Sequence, residues 1–392
     1  MSQQWHDLKF KVENLGVVHK GEFTQKSLTI FCGPNNSGKT WVMYALYFWS
    51  RMLNDPDFRC SQYHRMSHGP SVKPADFKDI MNSGLPGVFN VKETMLEGAR
   101  VDLIASIKSL KALLDEKRKT RNVFLIPAER TSLHPFCHDI GNCSTISLHR
   151  MAEEIRSPGE LLRNTLRSYY AQPIVDYIDW LNKIPEIMRE SDKAFHRYAE
   201  ILKKRLLRGA FGVDKKTGDI TFKPRRSKVA GHKTREVSLH IASGTVKSLF
   251  GLWFYLEHQA KQGDLLMIEE PEINLHPANQ VEMARLLARL VNAGLHLVVS
   301  THSDYIVREL NSLIMLNQQG SSGMRKKYRY EEEEVLDPDK VGAYLFDDQV
   351  IEPIGIFTED GIYATTFNKV ISAQGKSNND IYYTMKEIKD GY

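Results

Sequence analysis

The chain has 392 residues, of which 42% are hydrophobic and 26% charged, so it can build a packed core and is not globally disordered. No apolar run reaches the roughly 18 residues of a membrane span, and four cysteines in so long a chain form no disulfide framework. We therefore expect a cytoplasmic protein with no membrane partner. The net charge of +5 permits contact with nucleic acid but does not argue for it.

The first motif follows a predicted strand. Residues 8–18 alternate enough for one strand, residues 27–32 form a second and apolar one, and residues 41–52 have helical composition. Between them the pattern G-x-x-x-x-G-K-[ST] is filled at every position, by Gly33, Pro34, Asn35, Asn36, Ser37, Gly38, Lys39 and Thr40. Strand, loop and helix is the context in which such a loop wraps phosphates with its N–H groups. We expect Lys39 to reach the β- and γ-phosphates of a nucleotide and Thr40 to bind Mg²⁺.

The next segments carry weaker signals. Residues 55–100 are rich in Pro, Gly, Ser and His and are interpreted as irregular; Cys60, His64 and His68 within them lack the paired spacing of a zinc site and are expected to be isolated loop residues. Residues 101–119 predict an amphipathic helix.

A strand over residues 123–126 ends in the sequence Pro-Ala-Glu-Arg. Polar groups at the carboxyl end of a strand are where open α/β sheets place ligand contacts. Glu129 or Arg130 therefore either faces the nucleotide or lies in a surface turn, and the sequence leaves both open.

Residues 150–208 are mostly helical in pattern with breaks at prolines, and residues 212–223 predict a hairpin. The stretch 223–235 is basic. It is either a solvated loop or a contact surface for the phosphate backbone of DNA or RNA.

Two carboxylates at the end of a buried strand form the second motif. Four apolar residues, 265–268, predict that strand, and Glu269 and Glu270 follow. One carboxylate can hold Mg²⁺, and its neighbour can orient or deprotonate an attacking water. A helix over 277–293 and a strand over 295–300 come next, and His302 then follows where it could contact a γ-phosphate.

Ser243 and Gly244 precede a helix that extends to about residue 258, with Ser243 as its N-cap. Such a pair is a small anion site, although local structure explains it equally well. Residues 317–334 are interpreted as a loop with locally compensating charge, and residues 341–357 as a hairpin that turns at Asp347 and Asp348.

Taken in order, these motifs resemble the ABC-type ATPase heads of the RecF, SMC and OLD (overcoming-lysogenization-defect) group. The motifs at 269–277 and 300–303 are spelled most like those of OLD-type phage-defence ATPases. The resemblance covers residues 8–54 and 236–314. It implies an α/β fold, an ABC-type P-loop head whose mixed sheet is flanked by helices, with a helical insertion.

The resemblance also implies roles for single residues. Glu269 corresponds to the magnesium-side acidic residue, Glu270 to the catalytic glutamate and His302 to the switch histidine. Ser243 and Gly244 correspond to the signature that caps the γ-phosphate of a partner's ATP. The spelling departs from the family at Thr245, where a second glycine is usual, and no Gln stands in residues 127–130, where the glutamine loop is expected.

We divide the chain accordingly into five parts: 1–54, the first ATPase segment with the P-loop; 55–150, an irregular insertion that returns to the sheet; 151–235, a helical insertion with the hairpin and the basic loop; 236–316, the ATPase segment with the signature, the paired carboxylates and the switch histidine; and 317–392, a C-terminal α/β extension.

The expected activity is ATP hydrolysis with Mg²⁺, in a homodimer or higher homo-oligomer through shared ATP sites. Too few residues follow the last motif for a Toprim nuclease domain, and no zinc hook or long arms appear. The interpretation is therefore an ATPase subunit that regulates a separately encoded nuclease or toxin in bacterial anti-phage defence, as in Septu or PARIS systems. A RecF-like repair ATPase that binds DNA and a non-turnover scaffold that binds ATP to assemble remain as alternatives.

Overall fold

The computed structural model describes residues 8–65, 76–105, 107–114, 121–133, 169–189, 192–225, 235–357 and 361–362. Across these ranges, no helix combines the length and the apolar character that a bilayer crossing requires.

The strands are β1 (Leu8–Leu15), β2 (Val18–Gln25), β3 (Leu28–Cys32), β4 (Arg100–Leu103), β5 (Val123–Ile126), β6 (Gly209–Val213), β7 (Ile220–Pro224), β8 (Val237–Ser238), β9 (Leu265–Glu269), β10 (His296–Thr301), β11 (Val341–Asp347), β12 (Val350–Ile354), β13 (Ile356–Phe357) and β14 (Gly361–Ile362). The α-helices are α1 (Lys39–Asn54), α2 (Pro56–Arg65), α3 (Phe77–Phe89), α4 (Ile107–Leu113), α5 (Gln172–Asn182), α6 (Ile184–Arg189), α7 (His196–Leu202), α8 (Gly244–His258), α9 (Pro277–Asn292), α10 (Asp304–Met315) and α11 (Ser322–Tyr328). A π-helical turn, Lys203–Leu207, continues α7.

Nine of the described strands form one mixed sheet in the order β4-β1-β2-β12-β11-β3-β10-β9-β5. Strands β11, β3, β10, β9 and β5 are parallel to one another, and the strands beyond β11 include the antiparallel pairs. Every residue of β3, β5, β9 and β10 is buried. A parallel sheet buried on both faces needs helices on each side, which explains the unbroken apolar runs of these strands. The predicted mixed α/β fold is confirmed.

The strand–loop–helix unit at residues 28–54 forms as predicted. Helix α1 begins at Lys39, directly after the glycine-rich loop, and packs on β5, β9 and β10. Three shorter helices, α5 to α7, lie in the stretch predicted to be helical. The hairpins β6–β7 and β11–β12 are also confirmed, and β8 completes a three-stranded sheet with β7. The division into five parts stays a prediction.

The interpretation of residues 55–100 as irregular is wrong where α2 and α3 lie. Helix α2 begins at Pro56, and the Asp55 carboxylate accepts a hydrogen bond from the Phe58 N–H at 2.9 Å, so proline and cap act together as a start signal. Helix α3 contains Pro86 yet buries an apolar face, so packing overrides its weak helical propensity. Cys60 lies on α2, while His68 falls outside the described residues.

Two other segments differ from prediction. Residues 101–119 do not form one helix, because residues 100–103 pair as β4 with β1 and only residues 107–113 are helical. Residues 322–328 form α11 and not a loop. The basic stretch is described only at its two ends, since residues 226–234 lie outside the described ranges.

The acidic run at 331–334 is compensated largely by distant arginines and not only by its neighbours. Arg289 of α9, which is 2% exposed, donates to the Glu334 carboxylate at 2.8 Å and lies 2.9 Å from that of Glu331. Arg205 of the π-helical turn also pairs with Glu331. Arg325 adds one local pair with Glu332. These ion pairs therefore connect α9 and the π-helical turn to residues 331–334, which precede β11.

Candidate nucleotide and metal site

The predicted functional motifs meet at one edge of the sheet. Strand β10 lies between β3 and β9, and all three are parallel, so their carboxyl ends are neighbours. The phosphate-loop residue Gly33 follows β3, His302 follows β10, and Glu270 follows β9. The sequence analysis placed each motif at the end of a predicted strand, and the structure adds the order of those strands in the sheet.

Two glycines set the shape of the phosphate loop. Gly33 has a φ of +146°, and a Cβ there would lie 2.3 Å from the Phe346 carbonyl oxygen of β11. Gly38 has a φ of +98°, and a Cβ there would lie 2.4 Å from a Val18 methyl group of β2. Both positions therefore exclude a side chain by conformation and by space.

The Lys39 side chain folds back onto the phosphate loop. Its side chain is buried, and its ammonium donates to the carbonyls of Gly33 at 2.9 Å and Pro34 at 2.6 Å and to the Ser37 hydroxyl at 3.3 Å. Burial lowers the pKa of Lys39, and the nearby Glu270 carboxylate opposes that change. A phosphate would compete with these three acceptors for the same ammonium. Pro34, Asn35, Asn36 and Thr40 are exposed around it.

Glu269 is the last residue of β9 and is 1% exposed. Its Oε2 accepts a hydrogen bond from the Ala128 N–H at 3.4 Å, whereas its buried Oε1 has no hydrogen-bond partner among the described residues. Burial, and then the negative charge of Glu129, raises the pKa of Glu269 to about 7, and the Thr40 hydroxyl opposes the rise. An unpartnered carboxylate oxygen beside a hydroxyl fits the oxygen ligands that Mg²⁺ takes.

Glu270 has a strained backbone. Its φ is +45°, which is uncommon for a residue with a side chain. Two hydrogen bonds hold this conformation: the Glu270 N–H donates to the Ser300 carbonyl at 2.9 Å, and the Arg130 guanidinium donates to the Glu270 carbonyl at 2.8 Å. The half-buried carboxylate lies 3.6 Å from Nδ1 of His302. Backbone strain that the surrounding structure maintains is typical of residues in active sites and ligand-binding sites.

Glu272 lies within the 269–277 motif, although the sequence predicts no role for it. Its Oε1 accepts hydrogen bonds from the Thr301 hydroxyl at 2.7 Å and from the His302 N–H at 2.8 Å, and its side chain is buried. Its spacing of two residues from Glu270 was the available signal.

The structure decides part of the open question about Glu129 and Arg130. Arg130 is 1% exposed, and its guanidinium contacts main-chain carbonyls, so it neither faces a nucleotide nor lies in a surface turn. Glu129 is exposed and close enough to raise the pKa of Glu269. It therefore lies beside the candidate metal site.

Ser243 and Gly244 lie at the start of α8. Ser243 caps α8, as predicted, by accepting a hydrogen bond from the Val246 N–H at 3.4 Å. Both residues are exposed, and no hydrogen bond or ion pair in the described part of the chain joins them to the phosphate loop. Their expected contact with a partner's ATP stays a prediction.

One chain thus assembles a cation in a glycine-rich loop, an orphaned carboxylate oxygen beside a hydroxyl, and a second carboxylate beside a histidine. These groups suit phosphate binding, a divalent ion and the activation of a water.

The profile of the AAA ATPase domain family matches residues 146–307. This match spans less than half of the chain and includes Glu269, Glu270 and His302. It begins well after the phosphate loop, which therefore lies outside it. Together with the geometry it supports an ATPase.

Solved structures give a broader likeness. The Smc head domain of Pyrococcus furiosus, bound to the C-terminal domain of ScpA, is 14% identical with a TM-score of 0.40, over 95% of this chain and 99% of that one. The SMC head domain of Thermotoga maritima is 12% identical with a TM-score of 0.38, over 90% and 100%. An ATP-binding cassette of an ABC transporter in its ADP conformation is 12% identical with a TM-score of 0.35, over 91% and 92%. A comparison with curated proteins gave no match.

Proposed function

We propose that the protein binds ATP and hydrolyses it to ADP and phosphate. The observation that carries this proposal is the meeting of Lys39, the paired carboxylates and His302 at adjacent carboxyl ends of β3, β9 and β10. Phosphate binding and water activation require different groups, and here the topology places both kinds at one edge.

In the proposed reaction, the phosphate loop and Lys39 bind the β- and γ-phosphates, which requires the ammonium to exchange loop carbonyls for phosphate oxygens. Glu270 orients the attacking water and takes its proton. His302, 3.6 Å from Glu270, contacts the γ-phosphate. Thr40 and Glu269 would hold Mg²⁺, which supplies positive charge at the phosphates.

Steady-state phosphate release from ATP, with and without Mg²⁺, tests this function. We expect Mg²⁺-dependent release by the wild type and none by Glu270→Gln, while the exposed Glu97→Gln serves as the matched control. A pure wild-type protein that binds ATP but releases no phosphate would establish the scaffold alternative instead.

We further propose that two chains share their ATP sites head to tail, in a homodimer or a higher homo-oligomer. The exposure of Ser243 and Gly244, which make no hydrogen bond or ion pair to their own phosphate loop in the described part of the chain, supports this arrangement. The γ-phosphate would then contact Lys39 of one chain and Ser243 of the other, and hydrolysis would loosen the pair.

The biological role that we propose is regulation of a separately encoded nuclease or toxin in bacterial anti-phage defence. Support comes from the motif spelling at 269–277 and 300–303. Cells that carry this chain with its neighbouring reading frames should resist phage, and cells with Glu270→Gln should not. Salt-dependent binding of the purified protein to plain duplex DNA, without an effect on phage growth, would favour the RecF-like repair alternative through the stretch 223–235.

A further inference from the structure

Arg130 lies at the centre of a main-chain junction. Its Nε donates to the Ser248 carbonyl at 3.0 Å, its Nη1 to the carbonyls of Pro127 at 3.0 Å and Glu269 at 2.7 Å, and its Nη2 to the Glu270 carbonyl at 2.8 Å. These four acceptors belong to three segments: the end of β5, the second turn of α8, and the end of β9. One buried side chain therefore fixes the positions of three backbones.

A second contact runs beside the first. The Thr245 hydroxyl donates to the Asn274 carbonyl at 2.6 Å, and a Cβ on Gly244 would lie 2.9 Å from the Asn274 side chain. The start of α8 is thus joined to the segment after β9 at two levels. Because the acceptors are carbonyl oxygens of the main chain, a shift of α8 along this junction strains or breaks the hydrogen bonds that hold the backbone of Glu269 and Glu270.

In the proposed head-to-tail pair, this junction connects residues that belong to two different ATP sites. In each chain of that proposed pair, Ser243 at the start of α8 would contact the partner's ATP, whereas Glu270 would act on the chain's own ATP. Arg130 therefore joins elements that belong to two different ATP sites. We propose that Arg130 is a positioning residue that couples the two sites, so that ATP engaged at the start of α8 aligns Glu270 of the same chain. This inference rests on the proposed function.

Arginine suits this task in a way that lysine does not. Its planar guanidinium offers five N–H donors in a fixed fork, and the four hydrogen bonds described above use that fork to reach separate carbonyls. A lysine ammonium is a single point with three donors and cannot hold all four acceptors in this geometry.

The dependence of ATP hydrolysis on ATP concentration tests the coupling. We expect the wild type to show a Hill coefficient above 1, toward the limit of about 2 for two sites. Arg130→Lys should lower it to about 1 with no more than about a twofold change in the affinity for a fluorescent ATP analogue. Arg289→Lys is the matched control, since Arg289 is also buried but binds carboxylates near β11. It should keep the Hill coefficient of the wild type.

The outcomes separate the two proposals. No hydrolysis by the wild type overturns the proposed function and this inference with it. Hydrolysis with a wild-type Hill coefficient of 1, or an unchanged coefficient in folded Arg130→Lys, overturns the coupling alone.

If Arg130→Lys does not fold, a mixed dimer of wild-type and Ser243→Arg chains, isolated with two different tags, answers the same question. One composite site is lost, and the other keeps all its groups. Independent sites would leave half of the wild-type rate. Coupling predicts less than a quarter, because the intact site uses the Glu270 of the chain whose own α8 engages no ATP. A rate of one half would overturn the inference.

Discussion

Glu272 and His302 are joined at two points: the Glu272 Oε1 accepts a hydrogen bond from the His302 N–H at 2.8 Å and lies 3.4 Å from Nδ1 of its ring. The Thr301 hydroxyl donates to the same oxygen. Glu272 follows β9 and His302 follows β10, so this buried carboxylate locks the ends of two strands together. It also sets the position of the ring that faces Glu270.

We expect Glu272→Ala to lower kcat for ATP hydrolysis by about tenfold or more and to leave KM almost unchanged, because the ring loses its support while the phosphate loop does not. Glu272→Gln should recover part of the rate, since an amide oxygen still accepts both bonds. Steady-state kinetics with Glu97→Ala as the control measure this. A rise in KM at constant kcat would contradict the role.

Lys39→Ala should abolish ATP binding. The substitution removes the one side-chain cation of the phosphate loop, where charge-assisted hydrogen bonds dominate. Isothermal titration calorimetry with ATP and Mg²⁺ measures the loss, and a thermal melt confirms that the variant is folded. Lys20→Ala, at an exposed position of β2, is the control. Binding as strong as in the wild type would show that the loop assignment is wrong.

Glu270→Gln should keep ATP binding and slow hydrolysis by about 10²- to 10⁴-fold, because it preserves shape but removes the proton acceptor. Phosphate release measures the rate. Glu269→Gln should instead weaken the dependence on Mg²⁺, since it alters the orphaned oxygen beside Thr40. Equal Mg²⁺ profiles for both variants would argue against dividing the carboxylates between base and metal.

Mixing Lys39→Ala chains with Ser243→Arg chains tests the shared sites. Neither variant should be active alone, but a mixed dimer contains one site whose groups are all intact, so activity should return. Because the intact site uses the Glu270 of the Ser243→Arg chain, coupling through Arg130 predicts less than a quarter of the wild-type rate for each mixed dimer. If both variants fold and mix without any return of activity, shared sites lose their main support, unless the two sites must fire together. Full activity of Ser243→Arg alone would refute the signature assignment.

Acid should destabilise the fold through His258. Burial lowers the pKa of this ring to about 4, and it packs on Phe254 with ring centroids 4.6 Å apart. The unfolded chain therefore binds a proton at this ring below about pH 6.5, whereas the folded chain binds it only below about pH 4. The free energy of unfolding consequently falls as the pH drops through this window.

Urea unfolding at pH 7 and pH 5 measures this effect. We expect the His258 contribution to be on the order of 1 kcal/mol, allowing for solvent that still screens the ring. His258→Phe should reduce the loss of stability between the two pH values, whereas the exposed His19→Phe should not. Equal losses in the two variants would contradict the assignment.

Local patterns were sufficient for the frame of the site. The runs at β3, β9 and β10 are apolar throughout because both faces of these strands are covered, and motifs at their ends could be placed by topology. Helices α2 and α3 were not predicted, because the proline, glycine and serine of this segment have low helical propensity. Burial of Phe77 and Leu85, which the structure shows, explains why α3 nevertheless forms.

The roles of Arg130 and Glu272 could not be predicted from sequence for another reason. Arg130 binds carbonyl oxygens up to 140 positions away, and every residue offers such an oxygen whatever its side chain. Glu272 binds the N–H of His302, a group that sequence likewise does not mark. The side chains of a motif indicate from the sequence which ligand it binds, whereas contacts to main-chain groups can be identified only in the structure.

The contact between Gly33 and Phe346 has a consequence for synthesis of the protein. The Phe346 carbonyl of β11 occupies the space that a Cβ on Gly33, the first residue of the phosphate loop, would need, although Gly33 lies more than three hundred positions earlier in the chain. Strand β11 also pairs along the whole of β3. A ribosome that has released the loop and α1 has therefore not yet released the strand that supports them. We therefore expect the phosphate loop to take its final shape only after every ATPase segment through residue 316, and then β11, has been synthesised.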